Sequence, residues 1–167
     1  INLANAFYKS GDFNKALEIS KQLAEAHPKD VNVMNTLARC LMRMEKYADA
    51  ENAIRTALRL EENSVESYII LSSIFFHTDR LDESESTARK ALEIDDSIPN
   101  IYNNLGAIQI HRKRYEAALA PLSKALDLDP QNWLAYYNLL FVRAWQSNFG
   151  EVINVVRRML KIRKSLA

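Results

Sequence analysis

Residues 101–132 read IYNNLGAIQIHRKRYEAALAPLSKALDLDPQN. Two amphipathic runs flank the polar stretch HRKRY at 111–115. Tyr102, Leu105, Ile108 and Gln109 share one face of a first helix, and Ala118, Leu119, Leu122, Ala125 and Leu126 share one face of a second. Pro130 stands just past the second run, where a residue that cannot continue a helix is expected. Gly106 and Ala118 are small because the two helices of a hairpin must approach closely there. A bulky side chain at such a contact costs about 1–3 kcal/mol.

The same pattern recurs outward from this stretch. The segments QLAEAHPKD, TALRLEENS, KALEIDDSI and KALDLDPQN follow one another at a spacing of 34 residues. Leu3, Leu37, Leu71, Leu105 and Leu139 form one column at that spacing, and Phe13, Tyr47, Leu81, Tyr115 and Phe149 a second. A third column holds Ala16, Ala50, Ser84 and Ala118, then Val152. A single helical hairpin cannot bury its apolar face, so the units must stack against their neighbours. With three glycines and four prolines in 167 residues, the chain lacks the breakers that strands joined by tight turns would need.

In the fourth unit Tyr102, Leu105, Gly106, Tyr115, Ala118, Ala125 and Pro130 follow the order aromatic, Leu-Gly, aromatic, Ala, Ala, Pro. On these residues the whole chain resembles the tetratricopeptide repeat family. The resemblance implies an all-α fold: a right-handed superhelical solenoid of about five helix-turn-helix units, or about ten antiparallel helices. One array is expected over 1–167, with units 31–64, 65–98, 99–132 and 133–166 after an incomplete unit 1–30. The shortened opening suggests a piece of a longer array. The fifth unit carries Leu140, Val152 and Met159 at mostly small positions, as a terminal repeat does.

The bulk numbers narrow the functional classes. Hydrophobic residues make up 48% and charged residues 26%, the mix of a folded globular chain. Twenty-two basic side chains balance 21 acidic ones, without the basic excess that a phosphate-neutralising nucleic-acid binder carries. No apolar run approaches the roughly 20 residues that span a bilayer. Cys40 is the single cysteine, which fits a reducing compartment, and a cytoplasmic location is the expectation.

No phosphate loop, H-E-x-x-H, C-x-x-C or EF-hand pattern occurs, so no enzyme chemistry, cofactor or metal is expected. His77 and His111 are equivalent in adjacent units but lack an evident third ligand. Cys40 reads as a small core residue. Asp95, Asp96, Asp127 and Asp129 recur at unit ends, where turns favour Asp. Arg157, Arg158, Lys161, Arg163 and Lys164 read as a solvated basic helix end.

The resemblance further implies that first helices line a concave groove for a protein or peptide. Its columns, one residue per unit, are Lys9, Arg43, His77, His111 and Trp145; Asn5, Arg39, Ser73, Ala107 and Phe141; Ile1, Asn35, Ile69, Asn103 and Tyr137; and Asn2, Thr36, Ile70, Asn104 and Asn138. Lys9, Arg39 and Arg43 suit a carboxylate. Ile69, Phe76, Ile110, Tyr137, Phe141 and Trp145 suit an apolar segment. The family's carboxylate clamp is not matched, since its slots in units three to five hold Ile69, Ser73, Asn104, Leu134 and Asn138. An asparagine ladder is matched only locally, at Asn104 and Asn138.

The expected function is therefore an interaction scaffold. The alternatives are a nucleic-acid-binding helical repeat, or the recognition domain of a larger enzyme. Self-association through exposed end repeats is a further expectation.

Overall fold

Side-chain caps set several helix starts. Asp12 Oδ1 accepts from the Lys15 amide at 3.2 Å, Asp30 Oδ1 from the Asn32 and Val33 amides at 2.9 and 3.2 Å, and Asn132 Oδ1 from the Ala135 amide at 3.0 Å. The computed structural model describes residues 1–165, with side chains as far as Ile162. Leu166, the last residue of the expected fifth unit, and the side chains of Arg163 and Lys164 in the basic tail lie outside the described residues.

Among those residues every regular element is a helix: α1 Asn2–Ser10, α2 Phe13–Ala26, α3 Val31–Arg43, α4 Tyr47–Leu60, α5 Val65–His77, α6 Leu81–Ile94, α7 Pro99–His111, α8 Tyr115–Leu128, α9 Trp133–Trp145 and α10 Phe149–Ser165. The fold is all-α, built of helix hairpins in which odd-numbered helices come first and even-numbered ones second.

The chain forms two compact units, Ile1–Ile94 and the part from Asp95 onward. In the first, each helix packs on its sequence neighbour, and α1, α3 and α5 also touch in succession. Ala16, Leu17, Ala38, Leu41, Ala50, Ile54, Leu71, Ile74 and Phe75 fill its core. In the second, α8 packs against α7 and α9, α9 against α10, and α7 against α9. Its core joins Leu122 and Leu126 of α8 to Ala135, Tyr136, Leu139 and Val142 of α9 and Val155 of α10.

The small-residue columns do what the sequence suggested. A Cβ added at Gly106 would lie 2.6 Å from Leu122 Cδ2, so α7 and α8 approach too closely there for any side chain. In the third repeat the same hairpin contact is polar: Ser72 donates to the Ser84 carbonyl at 2.9 Å and Ser84 to the Ser72 carbonyl at 2.7 Å. Cys40 is buried with its Sγ 3.4 Å from Ser20 Oγ, and burial pushes its thiol pKa up. The aspartates at repeat ends brace turns, Asp95 accepting from the Ser97 amide at 2.8 Å and Asp129 from the Gln131 amide at 2.9 Å.

One periodicity is invisible in the sequence. Each turn from first to second helix passes through a left-handed residue: Gly11, Glu45, Asp79, Lys113 and Ser147, with φ of 85°, 57°, 60°, 59° and 55°. Only the first is a glycine, so four turns hold an L side chain where it costs about 1–2 kcal/mol. Lys113 and Ser147 are exposed, so little packing is lost on removing their side chains. Lys113→Gly and Ser147→Gly are each expected to raise stability by about 1 kcal/mol. Thermal unfolding checks this; a lower midpoint would contradict the strain.

Candidate interaction surfaces on the first helices

The columns expected to face a partner separate by burial. The residues of one column, Lys9, Arg43, His77, His111 and Trp145, are exposed in all five repeats. Asn35 and Asn103 of another are buried, each beneath the next first helix. Asn35 Oδ1 accepts from Ser67 Oγ at 2.8 Å, and Asn103 Oδ1 from Asn138 Nδ2 at 3.0 Å. These asparagines bond the stack together; they do not line an open face. Ile69 of the same column is half-buried, whereas Ile1 and Tyr137 are exposed.

In the unit Ile1–Ile94 the two arginines of these columns have internal partners. Arg39 donates to Asn5 Oδ1 at 3.3 Å and pairs with Glu66 Oε1 at 3.1 Å, tying α3 to both α1 and α5. The Arg43 guanidinium lies 4.8 Å from the Phe13 ring centroid. His77 stacks on Tyr47 with centroids 5.6 Å apart, and Phe76 meets the His77 ring edge-on. Lys9 is exposed.

In the unit from Asp95 onward the open face is aromatic. Trp145 is 61% exposed and Phe141 46%. The Trp145 and Phe141 rings lie 3.9 and 6.1 Å from that of Tyr115. A cavity of about 430 Å³ opens beside them, lined by Lys113, Arg114, Tyr115, Glu116, Trp145 and Gln146. Its edge is held by Gln146 Nε2 donating to Glu116 Oε2 at 2.5 Å. His111 is exposed on α7, and Asn104 and Ile110 are half-buried. Asn138 spends its amide on Asn103, which leaves less of the local asparagine ladder to offer a peptide.

Family models described as tetratricopeptide repeat match residues 7–69, 65–98 and 99–132. The chain belongs to the tetratricopeptide repeat family. Its fold resembles TTC0263, a thermophilic tetratricopeptide protein of Thermus thermophilus, with a TM-score of 0.89 and 17% identity over 96% of this chain and 88% of that one. It also resembles MamA from Desulfovibrio magneticus RS-1, with a TM-score of 0.73 and 16% identity over 98% and 93% of the two chains. YrrB, described as having an unusual peptide-binding site, gives a TM-score of 0.63 and 16% identity over 98% and 84%. No curated protein sequence matches the chain.

Two features of this tetratricopeptide array escaped the column reading. Glu66, the partner of Arg39, occupies a position whose chemistry varies along the repeats, with Asn32, Asn100 and Leu134 as its exposed equivalents. The second is an exposed apolar stripe on α10, formed by Phe149, Ile153, Val156 and Leu160. Its spacing was legible, but only coordinates show that these residues are exposed within this chain. Among the described residues no helix is long and apolar enough to cross a membrane.

Proposed function

We propose that the chain is an interaction scaffold that holds a partner protein or peptide on the open face of its first helices. The carrying observation is the column that stays exposed in every repeat, cationic at Lys9 and Arg43 and aromatic at Trp145. Each compact unit supplies its own subsite. Near Arg39 and Arg43 the partner presents a carboxylate; against Phe141 and Trp145 it presents apolar side chains.

The chemistry favours such an exchange. The Arg39–Glu66 pair is substantially exposed, at 38% and 47%, and so contributes only about 0–1 kcal/mol. A partner carboxylate can replace Glu66 at little cost while keeping Arg39 charge-paired. Burying the two aromatic rings supplies the larger share of the affinity. Binding near micromolar, about −8 kcal/mol, is ordinary for such a surface. No catalytic step is assigned to the chain. The buried thiol of Cys40 fits the proposed cytoplasmic location.

The test is affinity capture with the chain and with its Arg39→Glu, Arg43→Glu double variant. Partners with acidic segments should be lost from the variant, and wild-type binding should weaken as salt rises. Equal capture by both proteins would remove the acidic subsite and leave the aromatic one to stand alone.

A further inference from the structure

Arg143 breaks its column. The equivalent residues of the earlier repeats are Phe7, Leu41, Phe75 and Gln109. Leu41 and Phe75 are buried in the core of the unit Ile1–Ile94, and Phe7 packs against it. Repeat five has an arginine at this place, and a crevice of about 390 Å³ opens there between α8, α9 and α10. Leu119, Leu139 and Val155 are its apolar walls, and Arg143, Glu151 and Arg158 its charged ones. On α10 it uses Glu151, Val155 and Arg158, not the exposed stripe Phe149, Ile153, Val156 and Leu160. All three helices belong to one compact unit, so the crevice does not rest on an end face of the array.

The charges in it are under-partnered. Arg143 Nη1 donates to Gln146 Oε1 at 3.2 Å, while Arg143 Nε is buried without a hydrogen-bond partner. A cation suits the last turn of a helix, which accounts for the charge. It does not account for a buried N–H left unpaired, which lowers stability. The Arg158 guanidinium lies 5.8 Å from the centroid of the Tyr136 ring. Glu151 Oε1 accepts from Asn154 Nδ2 at 3.3 Å, and among the described residues it is not ion-paired with either arginine. Two guanidinium groups against one carboxylate leave the crevice one positive charge in excess.

We infer that this crevice binds a carboxylate carried on a short apolar stem, the chemistry shared by a small carboxylic acid and the last residue of a chain. Gln146 holds one end of the Arg143 guanidinium, which leaves the Nε–Nη2 edge for a side-on carboxylate pair. Arg158 supplies the second cation, and a single carboxylate balances the excess charge. The stem lies against Leu119, Leu139 and Val155. The volume is in the range of pockets that hold small ligands. Neither Phe141 nor Trp145 lines the crevice, so it is a second site beside the first-helix face.

NMR titration of the full chain tests it, following backbone amides and the Arg143 Nε–H signal. The probes are hexanoate and N-acetyl-leucine, with hexanol and N-acetyl-leucinamide as uncharged controls. At least one acid should shift the Arg143 Nε–H and the amides of Asn154 and Arg158, saturating at about millimolar concentration. Its uncharged control should bind at least about tenfold more weakly. Hexanoate alone binding identifies a small acid as the source, and tighter binding of N-acetyl-leucine a chain terminus. Arg158→Gln, at an exposed position, should weaken binding about tenfold and keep the wild-type melting curve. Arg143→Leu restores the residue of the second repeat, so it should abolish binding while raising the melting midpoint. Acids that leave these signals unmoved, controls that bind equally well, or an Arg143→Leu protein that still binds would overturn the inference. So would a lowered midpoint in Arg143→Leu, because the arginine would then be a structural residue.

Discussion

Leu122→Ala is expected to lower the unfolding free energy by about 2–5 kcal/mol, as removal of a fully buried leucine does. Leu122 sits where α7 comes closest to α8 and in the core that joins α8 to α9, so the cavity loosens two contacts at once. Gly106→Ala is expected to destabilise as well, by about 1–3 kcal/mol of overpacking, less the roughly 1 kcal/mol that alanine gains over glycine in a helix. The new methyl would meet Leu122 Cδ2 at 2.6 Å and Cγ at 2.7 Å, and Cγ cannot swing aside as a chain end can. The double variant separates the two effects. With Leu122 shortened the clash disappears, so the Gly106→Ala change should become neutral or stabilising in that background. Denaturant unfolding of the four proteins reads this coupling, and strict additivity would show that the two residues are not in contact.

The second large effect concerns binding. Phe141→Ala combined with Trp145→Ala should weaken a partner held on the α9 face by about a hundredfold or more, the loss typical of aromatic anchors at the centre of an interface. The two residues are 46% and 61% exposed in the free protein, so stability should change much less than binding does. Their mooring is Tyr115, which holds them in place without covering them. Isothermal titration against a captured partner, alongside a melt of the free variant, distinguishes lost contact from lost fold.

The fold was legible because its determinants are local and repeated. Leu105, Gly106, Ala118 and Pro130 each answer a steric demand that recurs every 34 residues, and the first helices from α3 onward begin at that interval, at Val31, Val65, Pro99 and Trp133. The left-handed turn residues were not legible, because Glu45, Asp79, Lys113 and Ser147 share a backbone conformation but no side-chain type.

The surface was legible in part. A column identifies residues with the same direction on a helix, but whether they are open depends on the helix that follows. Asn35 and Asn103 share the column of Ile1 and Tyr137, yet a neighbouring helix covers them and bonds their side chains, while Ile1 and Tyr137 stay exposed. Arg39 was legible as a cation, but its engagement by Asn5 and Glu66 depends on three helices meeting.

A photo-crosslinking side chain placed at position 145, with a second protein carrying it at Lys124 on the exposed side of α8, locates the partner on the molecule. Crosslinks to the partner from position 145 and none from 124 are the expected result. Crosslinks from 124 with none from 145 would place the partner on the second helices and contradict a binding face built from the first.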